Sequence, residues 1–437
     1  MTGGATDPLI RRLGERLRAW PRPHRYRVAL SGGADSSALL HGLSRLDLPA
    51  PLDALHLDHG LHSASARWAD HCQDLCARLD VPLRVIPLRL QPHPGESLEA
   101  RARAARRAAL AGAMHPGDLL LMAHHREDQA ETLLLALLRG AGPTGLAAMP
   151  ELTPFGPGWL GRPLLEEGRR DLRAHLRRAG IPWIEDPSNA DTAFDRNFLR
   201  QRVLPRLRAR WPGLDRTLGR GARLCAEAED LAQRQAGAAL ARCRGRHGLA
   251  IRPLITLDPP LAHAVLRRWI REQGLPRPDL AHLERIRREV LGAAPDRHPL
   301  VAWPGAEARR HRGELLVLPP LPPRPTDLDW PAGARELALP PGLGRLRLRR
   351  PPPGPLRVRF GVEGLRCRPQ GRPHRRRLKQ IFQEAGIPAW LRPYLPLVFA
   401  GETLLSLASI TACDPGLRLE WRGHPWPTLI PIPADEV

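Results

Sequence analysis

The chain has 437 residues, ample for two or three domains, and carries 67 basic against 45 acidic residues, a formal net charge of +22. A surplus of that size points to a polyanionic partner, RNA or DNA first, and among the basic residues only Lys379 is a lysine. Aromatic residues make up 4%, too few for broad single-strand stacking surfaces, and none of the six cysteines forms a Cys-x-x-Cys pair. The chain starts without a signal peptide's apolar core, and no apolar run approaches the ~20 residues of a membrane span. A soluble, reduced, cytoplasmic protein with no membrane partner is expected.

From about residue 25 to 185 strand and helix patterns alternate. The strands are expected at Tyr26–Leu30, Leu52–Leu57, Leu83–Leu88, Asp118–Ala123 and Trp159–Pro163. The helices are expected at Ser36–Leu46, Ala64–Leu79, Ser97–Met114, Asp128–Leu138 and Arg169–Ala179. Such alternation predicts an α/β fold with a doubly wound, mainly parallel sheet, whose ligands bind outside the carboxyl ends of the strands. Three polar clusters fall at those ends: Ser31–Ser37, Asp58-His59-Gly60 and His124–Glu131. Their convergence on one edge predicts a single active site.

The first cluster, Ser31-Gly32-Gly33-Ala34-Asp35-Ser36-Ser37, joins a strand to a helix. Two glycines allow close backbone approach, the serines add hydroxyl donors, and the helix N-terminus favours negative charge. That is a phosphate cradle, yet it has neither the lysine of a P-loop nor the third glycine of a dinucleotide fingerprint. Its central Asp35 would repel phosphates unless Mg²⁺ or a hydrogen-bond network intervenes, which suits a site acting on a metal-bound triphosphate. The plain alternative is a capped Ser/Gly turn.

Cys72 and Cys76 lie four apart beside His71 on a predicted helix and read as buried small residues before they read as a metal site. Arg101, Arg103, Arg106 and Arg107 make a basic helix after Glu99. Asp128 and Glu131 share one face of the helix after the fourth strand, where they either complement the helix dipole or hold a cationic amine near the phosphate cradle. His124 and His125 at that strand end can donate to phosphate or move protons. Arg196 and Arg200, four apart, form either a phosphate clamp or a basic face with local ion pairs.

From about 215 to 315 the pattern turns helical, with segments Arg216–Arg242, Leu261–Gln273 and Asp279–Leu291. A proline-rich stretch, Pro319–Pro325, reads as a stiff linker. The tail mixes short strands with one basic helix, Arg375–Glu384, and the run Arg372–Lys379 offers phosphate contacts to RNA through Arg375, Arg376, Arg377 and Lys379.

Together these motifs resemble the bacterial tRNA(Ile)-lysidine synthetases of the PP-loop ATP pyrophosphatase superfamily. Ser31-Gly32-Gly33-Ala34-Asp35-Ser36 matches the superfamily turn, and His56–Leu61, His124–Thr132 with Arg139–Leu146, Arg162–Leu165, Glu185–Asn189 and Arg196-Asn197-x-x-Arg200 follow in the family's order. The segments Arg377–Glu384 and Ile387–Arg392 are similar to the last domain of the longer members. Departures stand at Arg126-Glu127, where members often carry an apolar residue then Asp, at Arg107, where many have Tyr, and in the glycine-poor loop Arg368–Arg376.

The resemblance implies an adenine nucleotide alpha hydrolase-like domain over residues 1–214, a helical tRNA-binding domain over 215–325 and a small α+β tRNA-binding domain over 326–437. It implies ligation of L-lysine to C2 of the wobble cytidine of a tRNA(Ile) with a CAU anticodon, through an adenylated intermediate, by a monomer or homodimer. ATP would lie on Ser31, Gly32, Gly33, Ala34, Asp35, Ser36, Ser37 and His59, with Asp35 holding Mg²⁺. Asp128 and Glu131 would bind lysine, Arg196 would act with Asp35, Asp128 and Glu131 in catalysis, and Arg103, Arg200, Arg377 and Lys379 would bind substrate. A PP-loop thiolase, which needs a sulfur relay, and a non-catalytic RNA-binding protein are the competing readings.

Overall fold

Leu9, Leu13 and Leu17 recur every four residues behind an Asp7 cap, and they form α1 (Pro8–Arg18), a helix absent from the sequence reading. The computed structural model describes residues 7–58, 65–88, 98–185, 191–294, 297–352, 354–370, 372–408, 410–413, 417, 419–426, 429 and 430. The chain divides into two units, residues 1–231 and 232–437.

In the first unit α1 is followed by β1 (Arg25–Ala29), α2 (Ala34–Ser44), β2 (Leu52–Asp58), α3 (Ser65–Arg78), β3 (Leu83–Pro87), α4 (Leu98–Gly112) and β4 (Asp118–Leu121). Then come α5 (Arg126–Leu138), the single turn α6 (Pro143–Leu146), β5 (Leu152–Phe155), β6 (Gly158–Gly161) and α7 (Arg169–Ala179). The sheet order is β3-β2-β1-β4-β6-β5, parallel throughout except for the β5–β6 hairpin. β5 carries Pro154, which an edge strand tolerates because one side of it has no ladder to complete. The chain winds from β1 through β2 to β3 on one side and resumes at β4 on the other. The topological switch therefore falls between the ends of β1 and β4, where such sheets open a crevice.

α2 is buried on nearly all sides: Ala38, Leu39, Leu40 and Leu43 have no exposed surface. Its second half is tied to α7 by a polar chain. His41 Nδ1 lies 2.8 Å from His175 Nε2, and His175 Nδ1 lies 3.0 Å from Asp7 Oδ2, which also pairs with Arg178 at 3.0 Å. Burial pushes His41 down to about 4, helped by His175 and Arg45. Its folded pKa thus lies below the ordinary 6.5, so the stability it contributes is complete above pH 6.5 and is lost as pH falls toward 4. Urea unfolding is expected to show a lower midpoint at pH 4.5 than at pH 7, with part of the drop removed in His41→Gln; an unchanged drop would assign the effect elsewhere.

Beyond α7, α8 (Asp195–Phe198), a π-helical turn (Leu199–Val203) and α9 (Leu204–Arg210) run on without a break, and α10 (Leu214–Cys243) carries the boundary between the units.

The second unit holds two cores. The first packs the end of α10 against α12 (Pro259–Glu272), α13 (Leu280–Arg285) and the π-turn Ile286–Leu291. The short helix α11 (Ile251–Ile255) adds Ile251 and Leu254. The expected helical region does not continue to 315: β7 (Leu249–Ala250), β8 (Leu300–Trp303), β9 (Ala306–His311) and β10 (Glu314–Leu318) form an antiparallel sheet in the order β7-β10-β9-β8. Arg312 (φ 46°) and Gly313 (φ 78°) turn β9 into β10 with two left-handed residues, as tight hairpins require.

The second core gathers β11 (Leu328–Trp330), β12 (Glu336–Ala338), β13 (Arg345–Leu348), β14 (Leu356–Arg359), β17 (Leu397–Ala400), β18 (Thr403–Leu407), β19 (Thr411–Ala412) and β20 (Leu419–Arg422) in two antiparallel sheets. The proline-rich stretch is packed against this core: Leu321 joins it and Tyr394 donates its hydroxyl to the Pro322 carbonyl at 3.0 Å. The basic run is not one helix. Arg376–Arg377 form β16, paired with β15 (Arg366–Cys367), and α14 starts only at Leu378 (Leu378–Glu384). Arg377 keeps extended backbone (ψ 138°) because it pairs with Arg366.

Candidate active site

At the end of β1 the chain turns through Gly32, whose φ of +79° an L side chain rarely adopts, and a Cβ there would approach Cys72 Sγ and Ile184 Cδ1 to 3.1 Å. The turn is held from within. Ser36 Oγ donates to the Gly33 carbonyl at 3.1 Å and accepts from the Ser31 N–H at 3.2 Å, while Ser31 Oγ lies 3.0 Å from Ser36 Oγ. It is also held from outside, where the Ile184 N–H donates to the Gly32 carbonyl at 2.9 Å. Ser37 Oγ is buried without a partner among the described residues, and so is Asp35 Oδ1.

A cavity of about 390 Å³ opens over this turn. Ser31, Gly33, Ala34 and Asp35 form one wall, with His56 and Asp58 from β2 beside them. His59, expected on the nucleotide, and Asp186–Asn189 lie outside the described residues. Cys72 and Cys76 are buried thiols, pushed by burial up to about 12 and about 11, with Cys72 Sγ 3.4 Å from His56 Nδ1. Among the described residues no group of three or more histidine, cysteine or acidic side chains could hold a metal ion.

The fourth strand brings the acidic cluster to the same edge. His125 holds the N-cap position of α5, where its N–H donates to Asp128 Oδ2 at 3.0 Å, and is buried to 2% exposure. Its Nε2 faces Asp35 Oδ2 at 3.4 Å and Asp128 Oδ2 at 3.5 Å, and its Nδ1 faces Glu127 Oε2 at 3.1 Å. Burial opposes a charge there, yet the hydrogen bonds to Asp35 and Glu127 and the nearby Asp128 outweigh it and raise His125 to about 10. An imidazolium donates from Nδ1 to Glu127, so the Asp128 N–H at 3.4 Å from that nitrogen is a contact rather than a hydrogen bond. Its neighbour behaves oppositely: burial holds His124 neutral, down to about 4, despite Asp128.

Asp128 and Glu131 do share one helix face, and both are buried. Arg196 donates from Nε to Glu131 Oε2 at 2.7 Å and from Nη2 to Asp128 Oδ1 at 3.0 Å. Arg200 donates from Nε to Glu131 Oε1 at 2.7 Å and from Nη2 to Asp128 Oδ1 at 3.2 Å. The two arginines and two carboxylates balance in charge. Burial acts to raise Asp128, but His125 and Arg196 hold it below the ordinary carboxylate value. The arginines, read from spacing as a phosphate clamp or as partners in local ion pairs, thus pair with carboxylates 65 to 72 residues away. Arg200 also lines the cavity.

The expected substrate residue Arg103 is exposed on α4 and does not line the cavity; Arg106, one turn on, does. Arg377 and Lys379 are exposed in the second unit. The sequence reading missed Arg169 and Arg173 of α7 in the cavity wall. Their signal was available: two arginines four apart just after Gly168, the same spacing that singled out Arg196 and Arg200.

A mainly parallel sheet with a Ser-Gly-Gly-Ala-Asp-Ser turn at its switch point is the build of a PP-loop enzyme, and the family described as the PP-loop domain matches residues 7–207. Two more families match, described as the TilS substrate binding domain (249–316) and the TilS substrate C-terminal domain (356–421). The chain is 42% identical over 420 residues to the tRNA(Ile)-lysidine synthase of Alkalilimnicola ehrlichii, covering 91% of this chain and 94% of that one. It is 42% identical over 391 residues to that of Methylococcus capsulatus (85% and 88% covered), and 39% over 412 residues to that of Coxiella burnetii (91% and 91%). The chain belongs to the tRNA(Ile)-lysidine synthase family.

Proposed function

We propose that this protein is an ATP-dependent ligase that makes lysidine on a tRNA(Ile) with a CAU anticodon. One observation carries the reading. The nucleotide turn and the acidic pair Asp128/Glu131 are joined through a single buried side chain, His125, which lies within 3.5 Å of both Asp35 and Asp128. A phosphate cradle and a cation site so linked suit a reaction that first activates with ATP and then admits an amine.

In the first step the cytidine C2 oxygen bonds to the α-phosphorus of ATP, and the bond to the β-phosphate oxygen breaks, releasing pyrophosphate. The 31–37 turn offers backbone N–H groups and hydroxyls to the charge that builds on the departing oxygens. Asp35 Oδ1, buried and without a partner among the described residues, would suit Mg²⁺, because that ion is commonly held by one or two carboxylates together with substrate phosphates. When bound, Mg²⁺ supplies charge neutralisation there. In the second step the lysine ε-nitrogen bonds to C2, the C2–O bond breaks and AMP leaves. Asp128, held below the ordinary carboxylate value by His125 and Arg196 against its burial, suits binding of the ammonium, and one of the two carboxylates takes the ε-proton. Arg196 and Arg200 are the more exposed half of the ion cluster, at 39% and 21%, so they are the groups that yield to an arriving lysine and turn toward phosphate.

Incubation with ATP, labelled lysine and the tRNA transcript tests the reading: label should enter the tRNA with release of AMP and pyrophosphate. ATP cleavage without label would send the assignment to another PP-loop activity. Charge reversal at Arg375, Arg377 and Lys379, all exposed, is expected to weaken tRNA binding and to flatten its salt dependence by about one unit of slope for each phosphate no longer neutralised. An unchanged slope would leave that basic run a scaffold.

A further inference from the structure

Two helices begin at the cavity, α2 and α7, and a third, α5, begins beside Asp35. α2 starts behind the nucleotide turn, α5 starts at His125, and the first turn of α7 is bonded to α5: the Arg169 N–H donates to both Glu127 carboxylate oxygens at 3.1 Å. Glu127 in turn meets His125, which meets Asp35. The start of α7 is therefore fixed to the nucleotide turn by a continuous chain of polar contacts.

Arg169 and Arg173 stand four apart on α7 and so share one face, and both line the cavity of Ser31 and Asp35. Nε of each is buried and donates to nothing among the described residues. Arg173 also reaches Glu185 at 3.1 Å, next to Ile184, whose N–H is bonded to the turn itself. A buried guanidinium N–H without an acceptor is costly, and two guanidinium side chains in the wall of one cavity suit an anion with several oxygens. Glu127 does not meet that need, since it is occupied by the Arg169 backbone and by His125, and Glu185 takes only Nη2 of Arg173.

We propose that Arg169 and Arg173 form a second phosphate clamp of this cavity, taking nucleotide phosphate oxygens beside the Ser31–Ser37 turn. The proposal rests on the reading of the cavity as an ATP site. It assigns the pair to the pyrophosphate end, because Glu127, through His125, and Ile184, next to Glu185, are tied to the turn that cradles phosphates. A backbone phosphate of the RNA has the same chemistry, so the test separates the two sources.

Arg169→Gln and Arg173→Gln, assayed by lysine incorporation, are expected to raise the KM for ATP about tenfold each, the effect of losing one charge-assisted hydrogen bond. The inhibition constant of added inorganic pyrophosphate should rise in parallel, and the KM for tRNA should stay within about twofold. A raised tRNA KM with unchanged ATP and pyrophosphate constants would overturn the nucleotide assignment, as would no change in any of the three. If Arg169→Gln fails to fold, Arg173→Gln carries the test alone, its side chain being 31% exposed and outside the α5 contact. Failure of the unaltered protein to incorporate lysine would instead sink the lysidine reading.

Discussion

Glu131→Gln is expected to abolish lysine transfer while pyrophosphate release persists. Gln keeps the shape of the side chain and removes the charge that both Arg196 and Arg200 address. Three guanidinium hydrogen bonds of 2.7 to 2.9 Å end on this one carboxylate, which is 1% exposed. Breaking a buried ion pair from one side costs ~3–5 kcal/mol; the partial exposure of the two arginines brings the expected loss to about 2 kcal/mol, readable as a lower urea midpoint. The lysine-dependent step should fall by about 100-fold or more, because an uncharged amide neither holds an ammonium nor takes its proton. If pyrophosphate release falls equally, Glu131 serves the architecture of the whole site and not the amine.

Asp35→Asn is expected to act on the other half of the reaction. Pyrophosphate release should drop by about 100- to 1000-fold, the scale for removing a placed electrostatic group, with tRNA affinity unchanged. The same substitution removes the hydrogen bond and charge that help raise His125 to about 10, so the His125 titration, followed by NMR, should move downward. A full-rate variant would remove Asp35 from the mechanism. A slow variant with an unmoved His125 would show that the 3.4 Å contact carries no energy.

Much of the first unit could be read from the sequence because its strands are short apolar runs that stop at glycine, proline and polar residues, and its helices repeat at 3.6. α1 carries that repeat too, but its leucines are diluted by five charged residues among eleven, which hides an apolar stripe in an arginine-rich chain. The sheet at 300–318 is hidden for a related reason. β9 reads Ala-Glu-Ala-Arg-Arg-His, a helix former's composition, and its turn uses Arg312-Gly313 in place of the familiar Asn-Gly. The basic run reads as one helix because charge alone does not distinguish β16, paired to Arg366, from the first turn of α14. At the site, the phosphate turn is local in sequence and so was legible. The pairing of Asp128 and Glu131 with Arg196 and Arg200 spans loops whose closure no spacing rule reports, and spacing left its partners open. Arg103 and Arg106 differ by three residues on one helix, and only the packing of α4 decides which of them meets the cavity.

The π-helical turn Leu199–Val203 gives the ion cluster a constraint on length. Arg196 leaves from an ordinary α-helical turn and Arg200 from a wider one, yet both end on the same two carboxylates. A residue more or less between Arg196 and Arg200 would swing one guanidinium by about 100° around the axis relative to the other, the rotation of one helical position. The stretch from Arg196 to Arg200 is therefore held to its residue count. An insertion or deletion there would uncouple the two arginines without substituting any residue of the site.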